Sequence, residues 1–245
     1  MGRDDRARPR LRGRGSAAAL VRGLARAAGA REWLDREVPA AEREAALADI
    51  DRLNAWFGGY RLTLARVARL ARRAPADRPL VVLDVGGGRG DFARRLLAWG
   101  RRIGRPLRVL VVDRHAAPRP GVRAVRADAA ALPFRPGAVD VATCTLTLHH
   151  LEPDDAARCL AEMRAVARLG LVVNDLLRTR LTLALVWLVT RLARCHRYCR
   201  HDGPLSVRRA YAPEELVALA GKAGLPRLRV RRYPLLGRLV AEAEG

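Results

Sequence analysis

The stretch VVLDVGGGRGD, residues 81–91, decides the fold. An apolar run interrupted only by Asp84 is typical of a strand buried on both faces of a sheet. The glycines that follow allow positive φ angles and let the backbone approach a ligand closely. A helix predicted to begin at Asp91 exposes free N–H groups at the same point. The stretch therefore predicts a strand, a ligand-binding turn and a helix in immediate succession.

The charges around this turn indicate which ligand it holds. A dinucleotide-binding turn would place its glycines at 86, 88 and 91, whereas the third glycine here is Gly90 and position 91 is aspartate. A carboxylate at a helix N-terminus repels a pyrophosphate, and Asp84 adds a second negative charge. The turn therefore favours a nucleoside-containing ligand with positive charge and no phosphate. S-adenosylmethionine (SAM), with its sulfonium and ammonium groups, fits that description.

Two further aspartates lie at the ends of the next two predicted strands. Asp113 stands where an acidic side chain can accept hydrogen bonds from both ribose hydroxyls of a nucleoside. Asp128 ends the third strand, at the height of an adenine amino group. Because ligands bind outside the carboxyl ends of parallel strands, we expect both aspartates to converge with Asp84 on one crevice.

Four motifs, in order, resemble those of class I SAM-dependent methyltransferases. DVGGGRG at 84–90 resembles their first motif, and Asp113 matches the acidic residue of their second. DAAALPF at 128–134 and DVATCTLTLHHL at 140–151 resemble the third- and fourth-strand segments of the ubiquinone/menaquinone-biosynthesis methyltransferases and their small-molecule relatives. The resemblance covers roughly residues 80–175.

This resemblance implies SAM as the cofactor and a role for each matching residue. The glycines of the turn would cradle the methionine part, Asp113 would hold the ribose, and Asp128 with Ala129 would contact adenine. The full set of predicted cofactor-binding residues is Asp84, Gly86, Gly88, Gly90, Asp113, Arg114, Asp128, Ala129, Cys144 and Thr145.

Alternation of short apolar strands with helices predicts an α/β fold, a Rossmann-like doubly wound, mostly parallel seven-stranded sheet with an N-terminal helical cap. We expect a disordered basic tail over residues 1–15 and the cap over 16–77. The SAM-binding domain would span 78–245, with an apolar helix insertion around 178–195. The predicted strands are Leu80–Val85, Leu107–Val112, Val122–Ala127, Val139–Leu148, Leu171–Val173 and a final antiparallel pair, Leu228–Arg232 and Arg238–Ala241.

The predicted helices follow from apolar residues at three- and four-residue spacing. Two fall in the cap and the others lie between or after the strands. The segment 200–211 is polar and contains Gly203-Pro204, so we expect a loop there that contacts the acceptor. The predicted helices are Ala41–Phe57, Tyr60–Arg73, Asp91–Trp99, one starting at Pro153, Arg178–Leu192, and one from Ala212 to Gly224.

Candidate catalytic residues follow the fourth strand. His149 and His150 lie on the cofactor side of the sheet, and histidine is the side chain best suited to accept a proton near neutral pH. We expect one of them to act as a base or to orient the acceptor. In the alternative, one packs or bonds to the backbone while the other shapes the pocket. Asn174 and Asp175, at the next strand end, would bind an acceptor hydroxyl or cap the chain.

A cluster of Cys195, His196, Cys199 and His201 invites a zinc interpretation. A structural zinc site usually combines two ligand pairs separated by a longer loop, and this cluster has no second pair. We therefore predict no metal site. Four cysteines in a chain of 245 residues do not form a disulfide framework, and the longest apolar run, Leu181–Thr190, is too short to span a bilayer. A cytoplasmic protein is expected.

The predicted function is transfer of a methyl group from SAM to a small apolar or aromatic acceptor, as in O-methylation of a phenol, quinol or polyketide-like metabolite. The formal net charge of +22 raises an alternative, an RNA or protein methyltransferase. The basic residues are spread along the chain, and an Asn/Asp-Pro-Pro-aromatic signature is absent from Thr143–Leu146, so a nucleic-acid partner is disfavoured but stays open. A non-catalytic SAM-binding protein is a third alternative. The oligomeric state is left open.

Overall fold

The computed structural model describes residues 24–116 and 121–245. The predicted disordered tail, residues 1–15, lies outside the described residues, as does the start of the predicted cap. Among the residues that are described, no helix is long and apolar enough to cross a membrane.

A seven-stranded sheet forms the centre of the molecule, in the order β3-β2-β1-β4-β5-β7-β6. Strands β1 to β5 run parallel, and β7 pairs antiparallel with both β5 and β6. The predicted Rossmann-like, doubly wound, mostly parallel sheet is confirmed, including its closing antiparallel pair. The strands are β1 Leu80–Val85, β2 Leu107–Asp113, β3 Arg123–Arg126, β4 Val139–Thr145, β5 Ala167–Leu176, β6 Arg229–Tyr233 and β7 Arg238–Glu244.

Seven α-helices surround the sheet in the described part of the chain. Short 3-10 turns at Trp33–Asp35, Leu148–His150 and Pro234–Leu236 connect elements. The helices are α1 Ala40–Trp56, α2 Gly59–Ala71, α3 Asp91–Arg102, α4 Pro153–Val166, α5 Arg180–Leu192, α6 Arg197–Arg209 and α7 Pro213–Lys222.

Side chains alternate between the two faces of the sheet and bury a separate apolar layer on each. Val82 packs in the layer that contains α2 and α3, together with Leu70 and Leu96. Leu83, its neighbour, packs in the opposite layer with Met163 of α4 and residues of α7. Helices therefore cover both faces, which is why the parallel strands read as continuous apolar runs.

Helix α2 differs from its predicted place in the cap. It packs on the sheet against β4, β5 and β7. Asn174 of β5 is fully buried and donates from Nδ2 to the carbonyl of Gly59 (2.8 Å) and to Oγ1 of Thr63 (2.9 Å). Asn174 therefore anchors α2 instead of binding an acceptor, and α1 is the helix that lies over the site.

The segment predicted as a polar loop, residues 200–211, is largely helix α6, and that prediction was wrong. Gly203 and Pro204 suggested a loop because proline lacks an N–H and disrupts a helix interior. In the structure α6 packs against α5, and Gly203 lies close to Val186 and Thr190 of that helix. A side chain at 203 would meet Val186 at 3.0 Å, so glycine permits the close packing that outweighs the low helix propensity.

The strand order places a ligand crevice between β1 and β4. From β1 the chain crosses to β2 on one side, and β4 later pairs with β1 on the other. Val85, Val112 and Cys144 lie in register at the carboxyl ends of these three strands. Such a switch in strand order is where open α/β sheets bind ligands.

Candidate cofactor and acceptor site

The glycine turn has the backbone geometry that its sequence predicts. Gly86, Gly88 and Gly90 all have positive φ, at 70°, 52° and 78°. A Cβ on Gly86 would come within 2.2 Å of Thr147, whereas a Cβ on Gly88 would meet nothing within 4 Å. Gly88 therefore borders open space, and it lines the large cavity of the molecule.

Asp84, at the start of this turn, carries an unpartnered buried oxygen. Its Oδ1 accepts a hydrogen bond from Thr143 Oγ1 at 2.9 Å, and its Oδ2 has no hydrogen-bond partner. Burial raises the pKa of Asp84 to about 7, and the nearby charge of Asp113 adds to the rise. Because Asp84 lines the cavity, its carboxylate could accept a hydrogen bond from a cationic ligand group. The residues present thus fit the ammonium end of SAM.

Asp91, the carboxylate at the N-terminus of α3, is already paired. Its carboxylate contacts Arg89 at 2.7 Å and Arg94 at 2.6 Å. The repulsion expected between Asp91 and a phosphate is therefore largely offset, and the preference for a cationic ligand rests on Asp84.

Asp113 is held in place at the end of β2. Its two carboxylate oxygens accept hydrogen bonds from the backbone N–H of Gly88 (2.9 Å) and of His115 (2.8 Å). It lines the cavity together with Arg114, Ala129 and Thr145. These contacts fix the carboxylate beside the turn, where a ribose could reach it.

Three of the predicted cofactor-binding residues do not line the cavity: Gly90, Asp128 and Cys144. Gly90 instead begins α3, where a Cβ would meet Val122 at 2.8 Å. Asp128 accepts from the backbone of Ala130 at 2.9 Å and pairs with Arg114 at 2.7 Å. Cys144 is fully buried in the core, and its hydrogen bond to Cys159 together with burial raises the pKa of its thiol.

The cavity beside the turn has a volume of about 1100 Å³. Ligand pockets in proteins usually measure about 300–1,000 Å³, so this one has room for a cofactor and a second small molecule. Helix α1 and the segment before it cover one side, and α5, α6 and the turn before β7 close the far end. The apolar residues that line the region under the cap are Leu47, Ile50, Leu53, Phe57, Leu185, Val186 and Val189.

Both predicted catalytic histidines lie in this cavity, on the 3-10 turn that follows β4. His149 is buried, and its Nδ1 lies 2.7 Å from Asp175 Oδ1, while its backbone N–H donates to Asp175 Oδ2 at 3.1 Å. Nδ1 of His150 lies 2.9 Å from Asp35 Oδ1. Burial acts to raise the pKa of Asp175, but the imidazole of His149 and hydrogen bonds from the backbone N–H groups of Leu176 and His149 hold it below its ordinary value. Asp175 therefore orients a histidine.

Glu32 and Asp35, which the sequence interpretation missed, complete this cluster. Nε2 of His149 lies 3.7 Å from Glu32 Oε1, and Nε2 of His150 lies 3.8 Å from Glu32 Oε2. Burial raises the pKa of Glu32 to about 7. Burial also acts to raise the pKa of Asp35, but hydrogen bonds and charge from His150 hold it well below the ordinary range. No local spacing links Glu32 to the histidines, since they are brought together only by the fold.

Helix α6 holds the segment that carries Glu32 and Asp35. Asp202 of α6 accepts hydrogen bonds from the backbone N–H of Trp33 (2.9 Å) and Leu34 (3.0 Å). Ser206 Oγ donates to Glu32 Oε1 at 2.9 Å. The region expected to contact an acceptor directly therefore acts largely by positioning residues that line the cavity.

The cysteine and histidine cluster of α6 does not converge on one point. Cys195 and Cys199 are buried, and His201 stacks on Trp33 and lies 2.7 Å from Asp202. Within the described ranges, the set of side chains with metal-ligand geometry is a different one, Glu32 with His149 and His150.

Residues 82–170 match the family model of a methyltransferase domain. The matched segment contains the glycine turn, Asp113 and the histidine pair. SAM is the cofactor, as predicted. No curated protein sequence matches the chain.

Solved structures of methyltransferases share the fold at low sequence identity. A proposed O-methyltransferase from Nostoc punctiforme is 14% identical, with 90% of this chain and 64% of that chain covered and a TM-score of 0.55. The CMeT domain of the citrinin polyketide synthase is 13% identical, with coverage of 72% and 49% and a TM-score of 0.52. The magnesium protoporphyrin IX methyltransferase from Synechocystis, solved with SAM, is 13% identical over 85% and 86%, with a TM-score of 0.48.

The similarities to the Nostoc protein and the citrinin domain show the fold alone. The chain covers less than two thirds of the Nostoc protein and about half of the citrinin domain structure. The shape and lining of the cavity are therefore the basis for inferring the acceptor of the methyl group.

Proposed function

We propose that the protein transfers a methyl group from SAM to an oxygen of a small apolar or aromatic acceptor of the phenol, quinol or polyketide-like class. The observation that carries the proposal is the continuous cavity that joins the glycine turn to an apolar chamber with the histidine pair at its side. A resemblance of residues 128–134 to quinone-biosynthesis methyltransferases also supports a quinol-like acceptor.

Bound SAM supplies a methyl group on a sulfonium, which passes to the acceptor oxygen as the S–CH₃ bond breaks, the O–CH₃ bond forms and the acceptor proton is released. The chain contributes mainly positioning and exclusion of water, because charge is lost from sulfur in the reaction. Asp84 would hold the ammonium end of the cofactor, and Asp113 would hold its ribose. Leu185 and Val186 pack along the ring or acyl chain of the acceptor.

The histidine pair marks where the reacting oxygen of the acceptor lies. Because Asp175 and Asp35 engage the two Nδ1 atoms, both Nε2 atoms are directed toward Glu32 and the cavity. A hydroxyl placed there would be oriented by two imidazoles. This arrangement supports the acceptor-orienting role predicted for His149 and His150, and the base role stays a prediction.

The alternative with an RNA or protein substrate draws support only from the net charge of +22. Many of the arginines are engaged in ion pairs, such as Arg78 with Asp140 (2.6 Å) and Arg178 with Glu215 (2.6 Å). A cavity covered by the cap also suits a small molecule better than a polymer. These observations favour the small acceptor.

The test is to incubate the purified protein and SAM labelled in the methyl group with a panel of phenols and hydroquinones, and with total RNA and total protein. We expect label in organic-extractable small molecules, identified by mass spectrometry as methyl ethers. Label confined to RNA or protein would replace the proposal with the polymer alternative. SAM binding by calorimetry without turnover on any substrate would indicate a non-catalytic SAM-binding protein.

A further inference from the structure

We propose that Glu32, His149 and His150 bind one divalent transition-metal ion of the zinc class at the acceptor end of the cavity, and that the acceptor oxygen completes its coordination. The proposal that an ion binds here rests on the geometry of these three residues. The statement about the acceptor rests on the proposed function.

The three side chains present one nitrogen or oxygen each to a common point. The ligand atoms of Glu32, His149 and His150 all lie within 4.8 Å of one another. The imidazole Nε2 atoms are 3.7 and 3.8 Å from the two Glu32 oxygens. Ligands at about 2.0–2.1 Å from a tetrahedral zinc ion lie roughly 3.4 Å apart, so each of these two separations exceeds the spacing in a zinc site by a few tenths of an ångström.

The outer contacts are those expected around metal-bound histidines. Such a histidine donates its second ring N–H to a carboxylate, which fixes the tautomer and leaves the other nitrogen free to bind the ion. Here Asp175 contacts Nδ1 of His149 and Asp35 contacts Nδ1 of His150. Ser206 likewise donates to Glu32. Each of the three ligands therefore has its own orienting partner.

The charge of the cluster also suits a cation. Three carboxylates surround the imidazoles: Glu32, Asp35 and Asp175. Arg209 contacts Asp35 at 3.0 Å, and buried Arg238 interacts with Asp175. Three carboxylates thus face two guanidiniums around the imidazoles, and a divalent ion would add positive charge in a region where burial makes unpaired charge costly.

The chemical types of the three ligands indicate which metal ion the site would bind. Two imidazoles and one carboxylate are ligands that zinc, iron(II) and cobalt accept, whereas magnesium and calcium prefer oxygen atoms alone. Three protein ligands leave a coordination position open, which is the arrangement of catalytic zinc sites. That position faces the cavity that these residues line.

The consequence for the reaction is activation of the acceptor without a protein base. A hydroxyl bound at the open position loses its proton to solvent more readily, since the ion lowers its pKa. The oxygen then forms its bond to the methyl carbon as the bond from that carbon to sulfur breaks, and the neutral ether leaves. His149 acts in this arrangement as a ligand.

The test uses the full chain after removal of metal by a chelator, with no SAM or acceptor present. Titration with Zn²⁺ is followed by calorimetry, and titration with Co²⁺ by its visible absorption. We expect one ion per chain and intense cobalt bands of a four- or five-coordinate site. Glu32→Gln and His150→Ala should each weaken zinc binding at least 100-fold, and Asp35→Asn by about 10- to 100-fold.

His196→Ala is the matched control, because His196 lies at the start of α6 and, among the described residues, its Nδ1 accepts only from the nearby backbone N–H of Tyr198. It should leave zinc affinity unchanged. His150 is 30% exposed, so its replacement tests the site even if Glu32→Gln fails to fold, and circular dichroism reports on folding. Absence of a saturable binding event, or equal zinc affinity in wild type and His150→Ala, would overturn the metal site.

Methyl transfer is measured separately with the chelated and the zinc-loaded protein. Full activity after chelation would overturn the role of the ion and leave the proposed function intact. Tight, site-specific zinc binding in a protein that methylates no small acceptor would instead contradict the proposed function and leave the metal site intact.

Discussion

Arg89, in the glycine turn, and Glu44, on helix α1, form an ion pair of 2.6 Å between Nη1 and Oε1. Arg89 is buried and also contacts Asp91 at 2.7 Å. The pair connects the helix that covers the cavity to the loop that borders the cofactor. We therefore expect cofactor retention to depend on this contact between the cap and the turn.

Glu44→Gln should therefore weaken SAM binding while preserving the fold. Arg89 retains Asp91, and the lost ion pair is partly exposed, so we expect a rise in Kd of about 3- to 10-fold, mostly through faster dissociation. Stopped-flow displacement of SAM measures this rate. Glu42→Gln is the matched control, because Glu42 also lies on α1 but pairs with Arg197 away from the turn. An equal change in both variants would contradict this dependence.

The unpartnered oxygen of Asp84 predicts a pH dependence of SAM binding. The pKa of Asp84 is raised to about 7 by burial and by the charge of Asp113. A cationic ligand favours the carboxylate, so binding below pH 7 must release a proton, and affinity should fall as the pH is lowered from 7 toward 5.5, approaching tenfold per pH unit. Asp84→Asn should bind SAM more weakly at pH 7 and show a nearly flat profile by calorimetry. An unchanged pH profile in this variant would exclude Asp84 as the titrating group.

The raised pKa of Asp84 also predicts how the stability of the unliganded protein depends on pH. Because the pKa of Asp84 is higher folded than unfolded, the native state holds the extra proton between about pH 4 and 7, and stability falls as the pH rises through that window. Asp84→Asn removes this cost. The variant should have the higher free energy of unfolding at pH 8, by as much as ~4 kcal/mol, with the difference shrinking toward pH 4. Denaturant titrations at the two pH values measure it.

The sequence predicted the sheet well because its determinants are local. The run over 80–85 matches β1 residue for residue, and glycines with positive φ mark the turn after it. The site was predicted only in part. His149 and His150 could be chosen because they follow a strand on the cofactor side, but their partners depend on tertiary structure. Glu32 reaches them from before α1, held there by Asp202 of a helix that the sequence did not predict.

Cys144 shows a second reason why the site could be predicted only in part from the sequence. It lies on the same strand end as Thr145, and strand periodicity alone does not say which of two neighbours faces the ligand. The structure points Cys144 into the core beside Cys159 and leaves Thr145 at the cavity. Neighbouring side chains of a strand point to opposite faces, so one of these two residues lines the cavity and the other packs in the core.

Gly88 and Gly104 offer a direct test of the cofactor position. Both have positive φ, at 52° and 65°, and a Cβ on either would meet nothing within 4 Å. Alanine should cost each about 1–2 kcal/mol of stability through its left-handed backbone. Only Gly88 lines the cavity, so Gly88→Ala should also raise the Kd for SAM at least 10-fold, while Gly104→Ala leaves it unchanged. Equal Kd values in the two variants would mean that SAM does not lie against Gly88.

Asp113 and Asp128 were predicted together as cofactor contacts, and the structure separates them. Asp113 lines the cavity beside Gly88, whereas Asp128 lies outside the lining and pairs with exposed Arg114. A carboxylate that accepts from two ribose hydroxyls contributes about 1.5–3 kcal/mol for each charged hydrogen bond. Asp113→Asn keeps one acceptor oxygen and loses one charged hydrogen bond, so it should raise the Kd for SAM by roughly 10- to 100-fold, measured by calorimetry. Asp128→Asn removes only an exposed ion pair and should change the Kd by less than about 3-fold. The reverse order of effects would place the ribose at the end of β3 instead of β2.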